Sequence, residues 1–237
     1  MAKRAMANVS VEEMNPKAEV LSSPAITMLL TVIRDKVTTQ RDYVAYSDRL
    51  MNILAEEGLA RLATPGKVVT PCGEFQGLVP PEGHTICGVD IVRSGGILLE
   101  AVRRIAPDSK TAKILIQRDE ETAEPKLFYS KLPPGIEDLT VVLCDPMLAT
   151  GGSAITAINV LKDAGVKEER ILFLNVVSCP EGLRALAEKT PGVRIVTAAL
   201  DDCLNAQKYI VPGVGDFGDR YYGTFGYKEG LWGIDGK

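Results

Sequence analysis

Histidine is almost absent from this chain and cysteine follows no pattern: there is one His, His84, and five Cys, at positions 72, 87, 144, 179 and 203, with no C-x-x-C among them. Neither a zinc site of ordinary ligand spacing nor a disulfide framework is suggested, and Cys87 and Cys144, set inside apolar runs, read as small core residues. Basic charge is not in excess either. Lys and Arg number 27 against 31 Asp and Glu, a formal net charge of −4, which argues against a nucleic-acid partner and requires any cations for an anionic ligand to be gathered locally. Long apolar runs are missing as well. The longest early stretch, Ala25 to Ile33, is interrupted by threonines and is too short to span a bilayer. The first 20 residues lack the apolar centre of a signal peptide, and the final Asp235, Gly236 and Lys237 match no retention or peroxisomal address, so a cytoplasmic enzyme without membrane contact is expected. No G-x-x-x-x-G-K-[ST] occurs, since Gly66 and Lys67 are followed by Val68, and this excludes a P-loop kinase.

What is present is an ordinary globular composition, 46% apolar and 24% charged over 237 residues, enough for one sizeable α/β domain. Residues 1–18 are expected as a mobile tail ahead of a single domain over 19–237. Between 38 and 62 the spacing of Tyr43, Val44, Leu50, Met51, Ile53, Leu54 and Leu59 predicts a long amphipathic helix. The pieces KVVTP and FQGLVP around Cys72, Gly73 and Glu74 predict a hairpin arm, a device that often makes oligomer contacts. From Ile86 the rhythm changes to strands near 86–92, 112–117, 139–144, 171–177 and 194–199 with helices at 96–106, 153–164 and 180–190, the pattern of a parallel sheet.

Residues 139–165 carry the strongest signal. A β-type apolar run ends at Asp145; Ala149, Thr150, Gly151, Gly152 and Ser153 follow, and they open directly onto a helix that turns Ile155, Ile158 and Leu161 toward the sheet. Unpaired N–H groups, the positive end of the helix dipole and close backbone approach at glycine make a cradle for a phosphate dianion. Asp145 would repel that phosphate but accepts from neutral ribose hydroxyls nearby, so a phosphorylated ribose meets both demands. An ordinary strand-to-helix turn is the plainer account. A second unit repeats the design: the strand 86–92 runs into Arg93, Ser94, Gly95 and Gly96 before a helix, and Arg93 is either a diphosphate ligand or a surface salt bridge. The stretch Arg118 to Pro125, RDEETAEP, reads as a solvated loop on composition, or as a lid carrying a cation. Finally, Tyr209 to Gly223 matches G-x-G-x-x-G at Gly213, Gly215 and Gly218, but the residues after it lack helical periodicity, so no dinucleotide-binding βαβ unit follows; a rigid loop with exposed backbone groups suits the edge of a flat heterocycle.

Together these pieces resemble the uracil phosphoribosyltransferases over about residues 20–225: DPMLATGGS at 145–153 is similar to that family's ribose-phosphate loop, RDEETAEP at 118–125 to its flexible loop, and YIVPGVGDFGDRYYGT at 209–224 to its uracil loop. The resemblance implies an α/β fold, a parallel twisted sheet flanked by helices as in type I phosphoribosyltransferases, with a β-hairpin arm and a hood. Hood and arm would take about 19–84 and 205–237, and the core about 85–204. It implies transfer of phosphoribose from 5-phosphoribosyl 1-diphosphate to uracil, giving UMP and diphosphate, with Arg93, Arg118 and Asp216 as the catalytic set. Arg93 and Arg118 would hold the diphosphate, and Asp145, Pro146, Met147, Leu148, Ala149, Thr150, Gly151, Gly152 and Ser153 the ribose 5-phosphate. Ile210, Gly215 and Phe217 would offer backbone groups to uracil, and Asp216 would touch the ribosyl substrate beside it. Mg²⁺ would arrive with the diphosphate, no protein ligand to it being named; GTP is a conceivable allosteric activator, and a homodimer or homotetramer is expected.

Two departures stand out. Asp145 and Pro146 occupy a place where most type I enzymes have two acidic residues, and Phe217 is bulkier than the small residue often found there. A nucleotide-sensing regulator on the same fold, or transfer to another base, are the competing readings; the loop at 209–217 discriminates the second.

Overall fold

The computed structural model describes residues 10–118 and 125–224, with the side chain of Arg118 outside the description. A short helix α1 (Val11–Met14), closed by a reciprocal Ser10 and Glu13 capping box, leads into strand β1 (Ala18–Val20). Residues 10–18, expected within a mobile tail, are thus tied to the fold by β1 and by the Asn15 side chain, whose amide donates to the Leu183 carbonyl at 3.1 Å. Helix α2 (Pro24–Arg34) starts at Ser23, whose hydroxyl accepts from the Ala25 N–H, with Pro at its first position. Helix α3 (Gln40–Ala60) is the expected amphipathic helix, started by Thr39 and burying Tyr43, Leu50, Met51, Leu54, Ala55 and Leu59 along one stripe. Strands β2 (Thr64–Thr70) and β3 (Gly73–Val79) form the antiparallel arm, paired only with each other and exposed over nearly their whole length.

The alternating part follows: β4 (Ile86–Val92), α4 (Gly95–Ile105), β5 (Lys110–Arg118), β6 (Pro125–Lys131), β7 (Thr140–Cys144), β8 (Met147–Leu148), α5 (Gly152–Asp163), β9 (Ile171–Ser178), α6 (Pro180–Lys189) and β10 (Arg194–Leu200). The main sheet runs β1-β10-β9-β7-β4-β5-β6, with β8 added beside β9, and every pairing is parallel except β5 with β6. Central strands are buried on both faces, which is why they read as continuous apolar runs. Along β7 and β9 the side chains alternate between two cores: Val142, Cys144, Leu172, Leu174 and Val176 face α2, α3 and α4, while Val141, Leu143, Ile171 and Phe173 face α5 and α6. The chain ends its described course in a small ribbon, β11 (Cys203–Leu204) with β12 (Ile210–Val211), and a six-residue helix α7 (Phe217–Tyr222). That last helix corrects the expectation of an irregular loop up to Gly223: Asp216 caps it and Gly223 ends it. It still completes no βαβ unit. Among the described residues no helix is long and apolar enough to cross a membrane.

Candidate active site

The carboxyl ends of β4, β7 and β9 point to one rim of the sheet, where parallel α/β folds place their ligands. The segment after β7 is anchored from below by backbone. The Pro146 carbonyl accepts from the N–H groups of Val176 and Val177 at 2.9 and 3.0 Å, the Leu148 carbonyl from Cys179 N–H at 3.1 Å, and the Ala149 carbonyl from the Cys179 thiol at 3.0 Å. The result is the period of a strand written onto a ligand loop: Pro146 and Leu148 are turned inward, Asp145, Met147 and Ala149 outward. Of the nine residues expected around the ribose phosphate, Pro146, Leu148 and Gly151 are buried, so any part they take is through the backbone.

Gly151 begins α5 with φ +83°, and a side chain there would stand 3.0 Å from Leu186 Cδ1, so the turn needs glycine on both counts. Among the described residues no side chain caps α5; the Gly152 N–H reaches Thr150 Oγ1 only at 3.5 Å, and the positive end of the helix stays turned to the rim. Helix α4 likewise starts at Ser94 with no side-chain cap. The flexible-loop motif begins at the end of β5 and returns at Pro125, which lies beside Gly152: a Cβ on that glycine would sit 3.3 Å from Pro125 Cγ. Residues 119–124 and the Arg118 side chain, which carry the lid reading, lie outside the described residues.

Opposite this loop stands the 209–217 segment. A cleft of about 440 Å³ opens between them, lined by Asp145, Met147 and Ala149 on one side and Ile210, Gly215, Asp216 and Phe217 on the other, with Ser94 between. That volume suits a small molecule of nucleotide size. Tyr209 and Gly218 of the same segment also line it, as do Gln207 and Lys208, which were not singled out from sequence. The signal available was Asn205, whose side-chain oxygen accepts from the N–H groups of Gln207 and Tyr209 at 3.0 and 2.9 Å and so bends the chain, leaving Lys208 at φ +65°.

Arg93 realises the salt-bridge account given above. Its Nη2 donates to Asp219 at 2.7 Å and its Nη1 to Thr224 at 2.9 Å; Asp216 is 4.0 Å away and the Tyr222 ring lies 5.5 Å from its Cζ. The cation therefore sits over α7 at the rim of the cleft, about half exposed. Asp216 caps α7 by accepting the Asp219 N–H at 2.8 Å, and burial raises its carboxyl above the ordinary aspartate value, an effect the Asp219 N–H and then Arg93 oppose. Phe217 is 2% exposed and packs edge-on to Tyr43 at 5.4 Å, so its bulk fills the hood core and not the ligand space.

Two guanidinium groups fix the 209–217 segment from behind. Arg34 grips both oxygens of Asp201, at 2.6 and 2.8 Å, and donates to the Gly213 carbonyl at 2.8 Å, while the Gly213 N–H reaches Asp201 at 2.7 Å. Arg220, 1% exposed, donates to the carbonyls of Ile33, Val214 and Asp35 at 2.6, 2.8 and 2.7 Å and lies over the Tyr43 ring at 4.3 Å.

Residues 20–224 match the family model described as uracil phosphoribosyltransferase. The chain is 53% identical over 196 residues to a uracil phosphoribosyltransferase of Saccharomyces cerevisiae, covering 82% of this chain and 90% of that one. A solved protein of Aquifex aeolicus is 31% identical and superposes with a TM-score of 0.76, covering 87% of this chain and 98% of that one. An adenine phosphoribosyltransferase of Trypanosoma brucei, 12% identical, shares the fold at a TM-score of 0.53 over 82% and 90% of the two chains.

Proposed function

The chain belongs to the uracil phosphoribosyltransferase family and converts uracil and 5-phosphoribosyl 1-diphosphate to UMP and diphosphate, and we propose that the cleft between the 145–153 and 209–217 segments is where it does so. The observation that supports this most is the convergence of the two segments, far apart in sequence, on one cleft at the strand ends.

In the reaction the bond from the anomeric carbon to the diphosphate oxygen breaks, its electron pair leaves with diphosphate, and the N1 lone pair of uracil forms the new bond while the N1 proton is lost. Positive charge builds on the anomeric carbon and ring oxygen, so position and electrostatics do most of the work and no strong base is required. In this proposal the amino terminus of α5 holds the 5-phosphate, with hydroxyls of Thr150 and Ser153 beside it. Asp145, at the mouth of β7, accepts from ribose hydroxyls. Arg93 leaves Asp219 for the diphosphate, joined by Arg118 from the end of β5. Asp216 faces the ribosyl group, and backbone groups of Ile210, Gly215 and Phe217 read the acceptor, donor, acceptor edge of uracil. A base with a different edge leaves those groups unpaired, which is enough for discrimination of roughly 10⁴.

Magnesium enters the proposal with the substrate. Among the described residues no three His, Cys, Asp or Glu side chains converge on a point, and Pro146 supplies no carboxylate beside Asp145, so the donor set fits an ion chelated by diphosphate and not one caged by protein. Self-assembly into a homodimer or homotetramer and activation by GTP are carried as parts of the same proposal, the first supported by the exposed arm.

The test is nucleotide formation from labelled uracil, 5-phosphoribosyl 1-diphosphate and Mg²⁺, with cytosine, orotate and hypoxanthine in parallel and GTP present or absent. UMP from uracil alone is the expected result. Turnover of uracil that is unchanged when Asp145 and Asp216 are both replaced would remove this cleft from the mechanism.

A further inference from the structure

We propose that Arg220 is the residue that sets base specificity, by fixing the direction in which the Gly215 N–H points. This rests on the reading of 209–217 as the base-recognition segment. The Val214 carbonyl and the Gly215 N–H belong to one planar peptide unit, and in a trans peptide they point in opposite directions. Arg220 Nη1 draws the Val214 carbonyl back into the hood at 2.8 Å, so the Gly215 N–H is turned the other way, toward the cleft that Gly215 lines.

The clamp is rigid for reasons visible in its surroundings. The same Nη1 holds the Ile33 carbonyl at 2.6 Å and Nη2 the Asp35 carbonyl at 2.7 Å, both at the carboxyl end of α2, where the helix dipole favours a cation. Tyr43, on α3, supplies the ring face beneath the guanidinium at 4.3 Å, and Arg220 is 1% exposed. One planar cation therefore ties the recognition loop to α2 and α3 together. An ammonium in its place is a point charge and lacks the planar fork needed to hold carbonyls in these directions at once. Arg220 touches neither substrate nor the reacting atoms; it is a positioning residue.

The experiment is steady-state kinetics of the full chain carrying Arg220→Lys, with KM measured separately for uracil and for 5-phosphoribosyl 1-diphosphate, and with cytosine as competing base. The expected result is a folded protein whose uracil KM rises about 10-fold, the loss of one hydrogen bond from the Gly215 N–H to the base, with weakened discrimination against cytosine. The KM for the ribosyl substrate stays within about twofold. An unchanged uracil KM, or a rise shared equally by both substrates, overturns the proposal. If Arg220→Lys does not fold, Tyr43→Leu removes the ring under the guanidinium and is read by the same two outcomes. Gly215→Ala, at φ +76°, tests the underlying reading separately. If it leaves the uracil KM unchanged the recognition loop itself has been misplaced, whereas a raised KM there with an intact one in Arg220→Lys sinks only the clamp.

Discussion

The two walls of the cleft are built by different means. The 145–153 wall, proposed to hold the ribose phosphate, is held by backbone bonds to the next strand and helix, whose residues follow it within about one βαβ unit, as with the Pro146 carbonyl on Val176 and Val177. The 209–217 wall, proposed to read the base, is held by two arginine side chains: Arg34, 179 residues from the Gly213 it bonds, and Arg220, just beyond the wall, which bonds across 187 residues of sequence to Ile33. A wall made by backbone is a by-product of the sheet and tolerates changes in its supporting side chains. A wall made by two arginines can be retuned by single substitutions, which suits its proposed task of telling one base from another.

That contrast can be broken by mutation. The largest effect is expected from Asp145→Ala, which on the proposed function removes the charged acceptor of the ribose hydroxyls: kcat/KM for the ribosyl substrate falls on the order of 100-fold or more, with Tm little changed. Arg34→Met should act the other way, on stability. It strands the Asp201 carboxylate, whose side chain is 4% exposed, and costs about 3 kcal/mol, on the order of 6–12 °C in Tm by calorimetry. Gly151→Ala sets a methyl group at φ +83° and should raise the KM for the ribosyl substrate about 10-fold while sparing that for uracil. A rise in the uracil KM instead would mean that the walls are not independent.

The smallest effect is one of pH. Burial raises the Asp216 carboxyl in the folded state, so its contribution to stability is present below the unfolded aspartate value and is lost as pH rises through the raised folded value. Asp216→Asn should therefore gain on the wild type in chemical denaturation as pH rises across that window. The acid limb of the wild-type kcat/KM profile, set above the ordinary aspartate range, should vanish in the variant.

The same contrast decides what was legible in the sequence. Strands β4, β7, β9 and β10 and helices α4, α5 and α6 were readable because each carries its own apolar period and end signals, Gly165 after α5 among them. Helix α2 was there to be read from Ser23 and Pro24, an N-cap and a first-position proline, but its threonines blurred the stripe. Strand β1 was not readable at all: three residues are ordered by pairing with β10, a partner that no local pattern announces. At the site, glycines and acidic residues marked both walls, and the family resemblance supplied the reading of 209–224 as a uracil loop. The Asp216 cap and the Gly223 stop could have announced α7, yet the glycines around them spoke more loudly for a loop. No local pattern in the sequence marks Arg34 or Arg220 as clamps; the fold brings the carbonyls to them. Arg93 stayed ambiguous for the same reason, since Asp219 lies 126 residues away.

The cysteines carry a practical corollary. Burial pushes the thiols of Cys87 and Cys179 up to about 11 and about 12 and raises that of Cys144 well above its ordinary value, so at neutral pH those three are protonated as well as enclosed. Cys72, by contrast, is exposed at the turn between β2 and β3, and Cys203 is only partly covered. A Cys203→Ser chain would thus accept a maleimide dye at one place, the tip of the arm, and fluorescence anisotropy from that dye would report whether the arm swings in solution or is held.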